Sequence, residues 1–310
     1  MDLTGGIFMI AAQESMTAKL CSFARAYHSM LGKNKIFDDY LAYDIIGKDV
    51  YDEIGSLLKG QVEATGQLPR YGFESLLVFE EMDHYFSPIA LSRIAFAERA
   101  LDRFARNRAS CQYVICGAGM DTFAFRNTDE AVQVFELDHP DTQAYKLRRI
   151  HELRWEVPPN AHYAAIDFEQ DDLGRTLLHS GFHTSEPSFF SLLGVSYYLT
   201  AEAFREFVRS VSILASPGSQ FVLDFPDEST FEPDSTSRVR RLAQITEQLG
   251  EPMRHGFSLA EMREILASEG FVIRNHESPA DIQRHFFADR TDHQQAMENV
   301  HFILAEKKRQ

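Results

Sequence analysis

Two apolar runs end in residues suited to holding a nucleoside. Tyr113-Val114-Ile115-Cys116 leads into Gly117-Ala118-Gly119-Met120-Asp121-Thr122, and Val132 to Leu137 leads into Asp138, with Glu136 one alternation earlier. A short β-rich run that stops at Gly-Ala-Gly fits a buried strand whose carboxyl end turns sharply beside a ligand. Glycine permits that turn because it accepts φ > 0 and lets a ligand lie against bare backbone. Acidic side chains at the end of the next strand stand where doubly wound folds take the ribose hydroxyls. Glu136 and Asp138 share one strand face, so both are candidates for that contact.

A dinucleotide fingerprint needs a third glycine at position 122, and the chain has Thr122 there. Asp121 stands where a pyrophosphate would lie against a helix N-terminus, and two adjacent anions repel. A cofactor carrying adenosine, a positive sulfonium and an ammonium suits this loop better. S-adenosylmethionine is therefore favoured over NAD.

These residues need a sheet to position them. Strand-like runs are expected at Gln112 to Cys116, Val132 to Leu137, His162 to Ile166, Ser188 to Val195, Gln220 to Phe225, Phe271 to His276 and His301 to Glu306. Helical patterns fall at Asp141 to Leu153, Ala201 to Leu214, Arg238 to Leu249 and Leu259 to Ser268. The last has Ser258 as N-cap, Glu261 in the capping-box position and Gly270 as its stop. The alternation predicts an α/β fold, a doubly wound, mostly parallel sheet of seven strands. With no helix expected to follow them, the last two strands can pair antiparallel. One domain spans 1–310: residues 1–108 form a mainly helical N-terminal cap, 109–310 the α/β core, and 226–257 an inserted lid over the strand ends, where ligands bind in open sheets.

The run from Cys111 to Arg154 resembles the leucine carboxyl methyltransferase family, including its bacterial polyketide O-methyltransferase branch. The matching residues are Gly117-Ala118-Gly119-Met120-Asp121-Thr122, Phe125-Arg126, Phe135-Glu136-Leu137-Asp138-His139-Pro140 and Lys146. Similarity continues through Phe190-Ser191-Leu192-Leu193-Gly194-Val195-Ser196-Tyr197-Tyr198-Leu199-Thr200 and, more loosely, Ile36 to Ala42. The resemblance implies a class I, Rossmann-like methyltransferase that converts S-adenosylmethionine to S-adenosylhomocysteine, its sheet closed by one reversed strand. It further implies that Gly117 and Gly119 line the methionine part of the cofactor, that Asp138 takes the ribose hydroxyls, and that Asp167 and Phe168 hold the adenine edge. Arg93 matches an arginine that pairs with the cofactor carboxylate, and Arg25 is a looser candidate for the same role. Asp121 is expected to cap a helix and orient loop amides at the pocket. At Leu193 the chain departs from the carboxyl-methylating branch, which has a glutamate there.

Methyl transfer from a sulfonium is an in-line displacement that asks mainly for alignment and exclusion of water. A carboxylate acceptor needs no base because it is already ionised near neutral pH, whereas a phenol or alcohol would want one. His139, Tyr197 and Tyr198 are the candidates nearest the expected pocket, with His28 and His84 in the region before the loop. The acceptor is expected to be a small molecule, with a peptide or protein C-terminus as the alternative. A binding scaffold on the same fold is the rival class, but it would be expected to lose Gly117, Gly119 or Asp138.

The rest of the composition excludes more than it assigns. A net charge of −15 with no basic block argues against nucleic acid and anionic membrane as partners. Gly5 to Ala12 is too short to span a bilayer. Cys21, Cys111 and Cys116 cannot all pair, which suits a reduced, cytoplasmic setting. Gly194-Val195-Ser196-Tyr197-Tyr198 lacks the second glycine of a nucleophile elbow. His179 and His183 have helical spacing but no third ligand pattern, so no metal is expected.

Overall fold

A computed structural model describes residues 15–65, 82–106, 108–232, 235, 237–248, 250–292 and 294–309. Gly5 to Ala12 lies outside them. Seven strands form one sheet: β1 (Cys111–Cys116), β2 (Val132–Asp138), β3 (Ala161–Ala165), β4 (Ser188–Leu192), β5 (Gln220–Pro226), β6 (Phe271–Glu277) and β7 (Val300–Lys307). Their order is β3-β2-β1-β4-β5-β7-β6. The first five are parallel, and β7 runs antiparallel to both β5 and β6.

Alternation along the strands divides the core between the two faces. Tyr113, Ile115, Val134, Phe189, Val222 and Phe302 pack with helix α4 (Ser87–Ala105). Val114, Cys116, Phe135, Phe190, Leu223 and Ile303 pack on the other face with α7 (Leu173–His179), α8 (Ala201–Leu214) and α10 (Leu259–Ser268). Both faces are covered, which is why β1 and β4 are buried throughout and apolar or small except at Gln112, whose amide bonds the His183 carbonyl and Ser188. Before the sheet, α1 (Met16–Leu31), α2 (Ala42–Ile46) and α3 (Lys48–Thr65) build a third cluster around Phe23, Ile46 and Ile54, which also takes in Leu242 of α9 (Arg238–Gln248). Further α-helices among the described residues are α5 (Phe123–Arg126), α6 (Pro140–Glu152) and α11 (Pro279–Phe286). Among the described residues no helix is long and apolar enough to cross a membrane.

Three expectations are corrected. The fourth strand ends at Leu192 rather than Val195, because the chain turns at Gly194 (φ 71°) and that amide leaves the ladder for the Asp224 carboxylate at 2.6 Å. A helix, α11, does separate the last two strands, opened by the reciprocal box of Ser278 and Asp281. Ser258 caps α10 as expected by accepting the Glu261 amide at 3.1 Å, but the Glu261 carboxylate faces Arg205 and His255 instead of closing a box.

His28 of α1 is 1% exposed, and its Nε2 accepts the Ile36 amide at 3.0 Å, so the neutral ring is what the fold uses. Burial, reinforced by the Arg290 charge, lowers its pKa from the ordinary 6.5 to about 4. The unfolded chain therefore binds a proton between those values that the folded chain refuses. This contribution to stability is complete above about 6.5 and is lost as pH falls through about 4. Thermal melts of His28→Gln, which keeps an acceptor, should lose less stability than the wild type between pH 7 and 4; parallel curves would contradict this assignment.

Candidate active site

At the carboxyl ends of β1 and β2 the glycine loop closes over its neighbour strand. The amides of Gly117 and Ala118 both donate to the Leu137 carbonyl, at 2.8 and 3.0 Å. One step on, the Gly119 amide donates to Asp138 Oδ2 at 2.5 Å, and the His139 amide to Asp138 Oδ1 at 2.7 Å. Gly117 and Gly119 have φ of 76° and 51°, the left-handed region that only glycine enters without strain. A Cβ at Gly117 would overlap Val195, and one at Gly119 would stand 3.2 Å from the Ala18 side chain. Burial raises the Asp138 pKa, while the two amides and Lys146 pull the other way. Asp121 Oδ1 accepts the Phe123 amide at 2.6 Å and so orders the start of α5.

These residues form one wall of a cavity of about 800 Å³. Facing them is α1, through Ser15, Thr17, Ala18, Cys21 and Arg25; Leu193, Gly194, Val195 and Tyr198 supply the floor after β4, and Glu251, Pro252 and Arg254 close a side. Arg93 and Arg25 both reach this cavity, but they are held differently. Arg25 is 3% exposed and committed, with Nη1 on Asp39 at 2.9 Å and Nη2 on the Met120 carbonyl at 2.8 Å. Arg93 is held more loosely, with Nη1 3.5 Å from Asp224 and Nη2 3.5 Å from the Cys21 sulfur. The Nε of each is buried without a partner among the described residues, which suits walls that meet an anion.

Glu251 links the two halves of the enclosure. Its carboxylate accepts from the Met16 amide at 2.8 Å, from Ser15 Oγ at 3.2 Å and from Thr17 Oγ1, and thereby caps α1. Arg254 donates its amide to the Tyr197 carbonyl at 2.7 Å and pairs with Glu169 at 3.2 Å. Sequence reasoning did not find Glu251, Arg254, Cys21, Glu169 or Asp224. The turn Gly250-Glu251-Pro252 after a helical pattern was the available signal.

Most of the other sequence candidates lie elsewhere. Glu136 is fully buried, salt-bridged to Lys146 of α6 and outside the cavity; burial pushes its pKa up to about 7 against the pull of Lys146. It shares a face with Asp138, yet it lies too deep in the sheet to meet a ligand. Asp167 folds its carboxylate into its own turn, onto the Glu169 amide (3.0 Å) and Gln170 Nε2 (2.7 Å), and Phe168 packs edge-on to Phe207. Neither lines the cavity, whereas Glu169 does. Tyr197 is 2% exposed and donates to Asp224 at 2.9 Å; burial and that carboxylate hold its pKa well above the ordinary value. His139 lines the rim, half exposed, and caps α6. His28 and His84 are outside the cavity. His179 ends α7 and Gly181 (φ 90°) turns the chain, so His183 is not one helical turn away. Among the described residues no group of three or more His, Cys, Asp or Glu side chains could hold a metal ion.

The walls fit an adenosyl sulfonium cofactor. Each Asp138 oxygen accepts one amide and keeps capacity for a hydroxyl, the bare backbone at Gly117 and Gly119 leaves room that a Cβ would fill, and the two arginines suit a carboxylate. Comparisons with known proteins agree. A family model described as leucine carboxyl methyltransferase matches residues 18–212. YktD of Bacillus subtilis, named as a candidate S-adenosyl-L-methionine-dependent methyltransferase, is 36% identical over 307 residues, covering 96% of this chain and 99% of its own. A similarly named protein of Mycobacterium marinum is 28% identical, over 76% of this chain and 72% of its own. The solved structure of a DUF574 family protein from Streptomyces avermitilis shares the fold, with a TM-score of 0.56 at 16% identity over 92% of this chain and 96% of that one.

Gly117→Ala tests the loop. The left-handed backbone and the Val195 overlap should together cost roughly 1–3 kcal/mol of stability and abolish binding of S-adenosylhomocysteine in calorimetry. Adding Val195→Ala should restore part of the stability by removing the overlap. Wild-type affinity in Gly117→Ala would contradict the geometry.

Proposed function

The chain belongs to the leucine carboxyl methyltransferase family and is an S-adenosylmethionine-dependent methyltransferase, and we propose that it methylates an oxygen of a small-molecule carboxyl or hydroxyl group. When bound, the cofactor supplies an electrophilic methyl group on sulfonium. Asp138 would hold the ribose, Gly117 and Gly119 would admit the chain beside the sulfur, and Arg93 would meet the carboxylate. Residues 1–108 and the segment 226–257 act in this reading as cap and lid. Support comes from Leu242 packing with the α1 and α3 cluster and from Glu251 capping α1.

One observation favours a carboxyl acceptor over a hydroxyl. Asp121, Asp138 and Glu251 each already accept internal donors, Glu169 is paired with Arg254, His139 on the rim spends its Nδ1 on the Asp141 amide, and the Tyr198 phenol is held protonated by burial. A neutral alcohol would find poor help in losing its proton here, whereas a carboxylate arrives ionised. The protein then has to align the acceptor oxygen and exclude water. The free thiols of Cys21, Cys111 and Cys116 support a reduced, cytoplasmic setting for the reaction.

Methyl-labelled S-adenosylmethionine should be incubated with the protein and a panel of small carboxylic acids and phenols. Label is expected on a small acid and should be released by mild alkali, because methyl esters hydrolyse and methyl ethers do not. Alkali-stable label would exclude the carboxyl acceptor, with mass spectrometry of the product then assigning the methyl to oxygen or carbon, and label confined to peptides or proteins would overturn the small-molecule assignment.

A further inference from the structure

Arg93 owes its place in large part to Asp224, a residue that does not line the cavity. Asp224, at the carboxyl end of β5, is fully buried and gathers three donors: the Gly194 amide on Oδ1 at 2.6 Å, Tyr197 Oη on Oδ2 at 2.9 Å, and Arg93 Nη1 3.5 Å from Oδ2. Ser196 Oγ donates to its carbonyl at 2.6 Å, so the turn after β4 is fastened to the same residue three times. Gly194 stands with φ 71°, and a Cβ there would overlap the Arg93 guanidinium. The guanidinium is thus pressed between a bare stretch of backbone and a buried carboxylate. Burying a lone carboxylate is costly unless it is paired and hydrogen-bonded. The Asp224 charge therefore requires Arg93, and Arg93 is aimed by Asp224.

We infer that Asp224 and Tyr197 are positioning residues that hold the Arg93 guanidinium ready for the carboxylate of the cofactor's amino-acid portion. This rests on the cofactor reading above and adds to it a role for two residues that do not line the pocket. Tyr197 is a donor locked onto Asp224, so it serves orientation and not proton abstraction. With one edge near Asp224, the guanidinium keeps its unpartnered Nε and part of its Nη donor set for a ligand.

Two ligands separate this role from a merely structural one. S-adenosylhomocysteine carries the amino-acid carboxylate, and 5′-methylthioadenosine shares the adenosine and thioether but lacks it. Calorimetry on Asp224→Asn should show affinity for S-adenosylhomocysteine falling roughly tenfold to a hundredfold, the range for hydrogen bonds to charged groups. Affinity for 5′-methylthioadenosine should stay within about twofold of the unaltered protein, because the contact concerned is absent from that ligand. Tyr197→Phe, which keeps the ring and removes the donor, should give a smaller loss with the same selectivity, and it stands in should Asp224→Asn not fold. Arg93→Gln should reproduce the selective loss, and Arg93→Gln with Asp224→Asn should be no worse than Arg93→Gln alone. Equal losses for both ligands, or losses that add in the double variant, would overturn the inference. If the unaltered protein binds neither ligand, the cofactor reading falls and takes this inference with it.

Discussion

The hydrogen bond from the Gly119 amide to the Asp138 carboxylate joins the two strand ends on which the site is built. It is possible because β1 and β2 are parallel neighbours in a register that sets Cys116 beside Leu137. The chain leaving β1 then lies over the end of β2, and its amides meet first the Leu137 carbonyl and next the Asp138 side chain. Placing this carboxylate at the bottom of an enclosure costs solvation, which raises its pKa. The two backbone amides recover part of that cost in a geometry the sheet has already fixed.

Beneath the loop a second set of charges keeps the enclosure in register with the sheet. Arg25 of α1 bridges Asp39 and the Met120 carbonyl, Thr122 donates to Asp39 at 2.5 Å, and Arg126 joins Thr122 to Glu98 of α4. Buried pairs of this kind add little net stability, yet losing one partner typically costs about 3–5 kcal/mol. Such a network punishes wrong arrangements more than it rewards the right one. Its effect here is to hold α1, the glycine loop and α4 in one relation, with Ala18 against Gly119. Arg25, which by type alone could have met a ligand, is largely spent on this task.

The parts legible in the chain were those carried by local pattern. Strand, glycine turn and acidic strand end lie within one short stretch, and α8 and α10 matched their expected bounds because caps and apolar period agreed there. Glu136 was misjudged because alternation gives a face and not a depth: two residues further in, the same face is core, and Lys146 comes from α6 to neutralise it. Asp167 and Phe168 depended on how the turn after β3 folds, and the Asp167 carboxylate satisfies that turn itself. Asp224, Glu251 and Arg254 could not be read, since each acts on residues far away in sequence and only the closed fold brings them together. The overlooked α11 is a different case. Its Ser278-Pro279-Ala280-Asp281 opening is a sound start signal, obscured by a short and weakly apolar continuation.

The central claim is that the glycine loop and Asp138 bind the adenosyl cofactor, and calorimetric titration of the purified protein with S-adenosylhomocysteine and, separately, NAD tests it most directly. The account predicts a binding isotherm with S-adenosylhomocysteine, none with NAD, and loss of the first in a folded Asp138→Ala variant. Binding of NAD, or affinity for S-adenosylhomocysteine that survives Asp138→Ala unchanged, would contradict it.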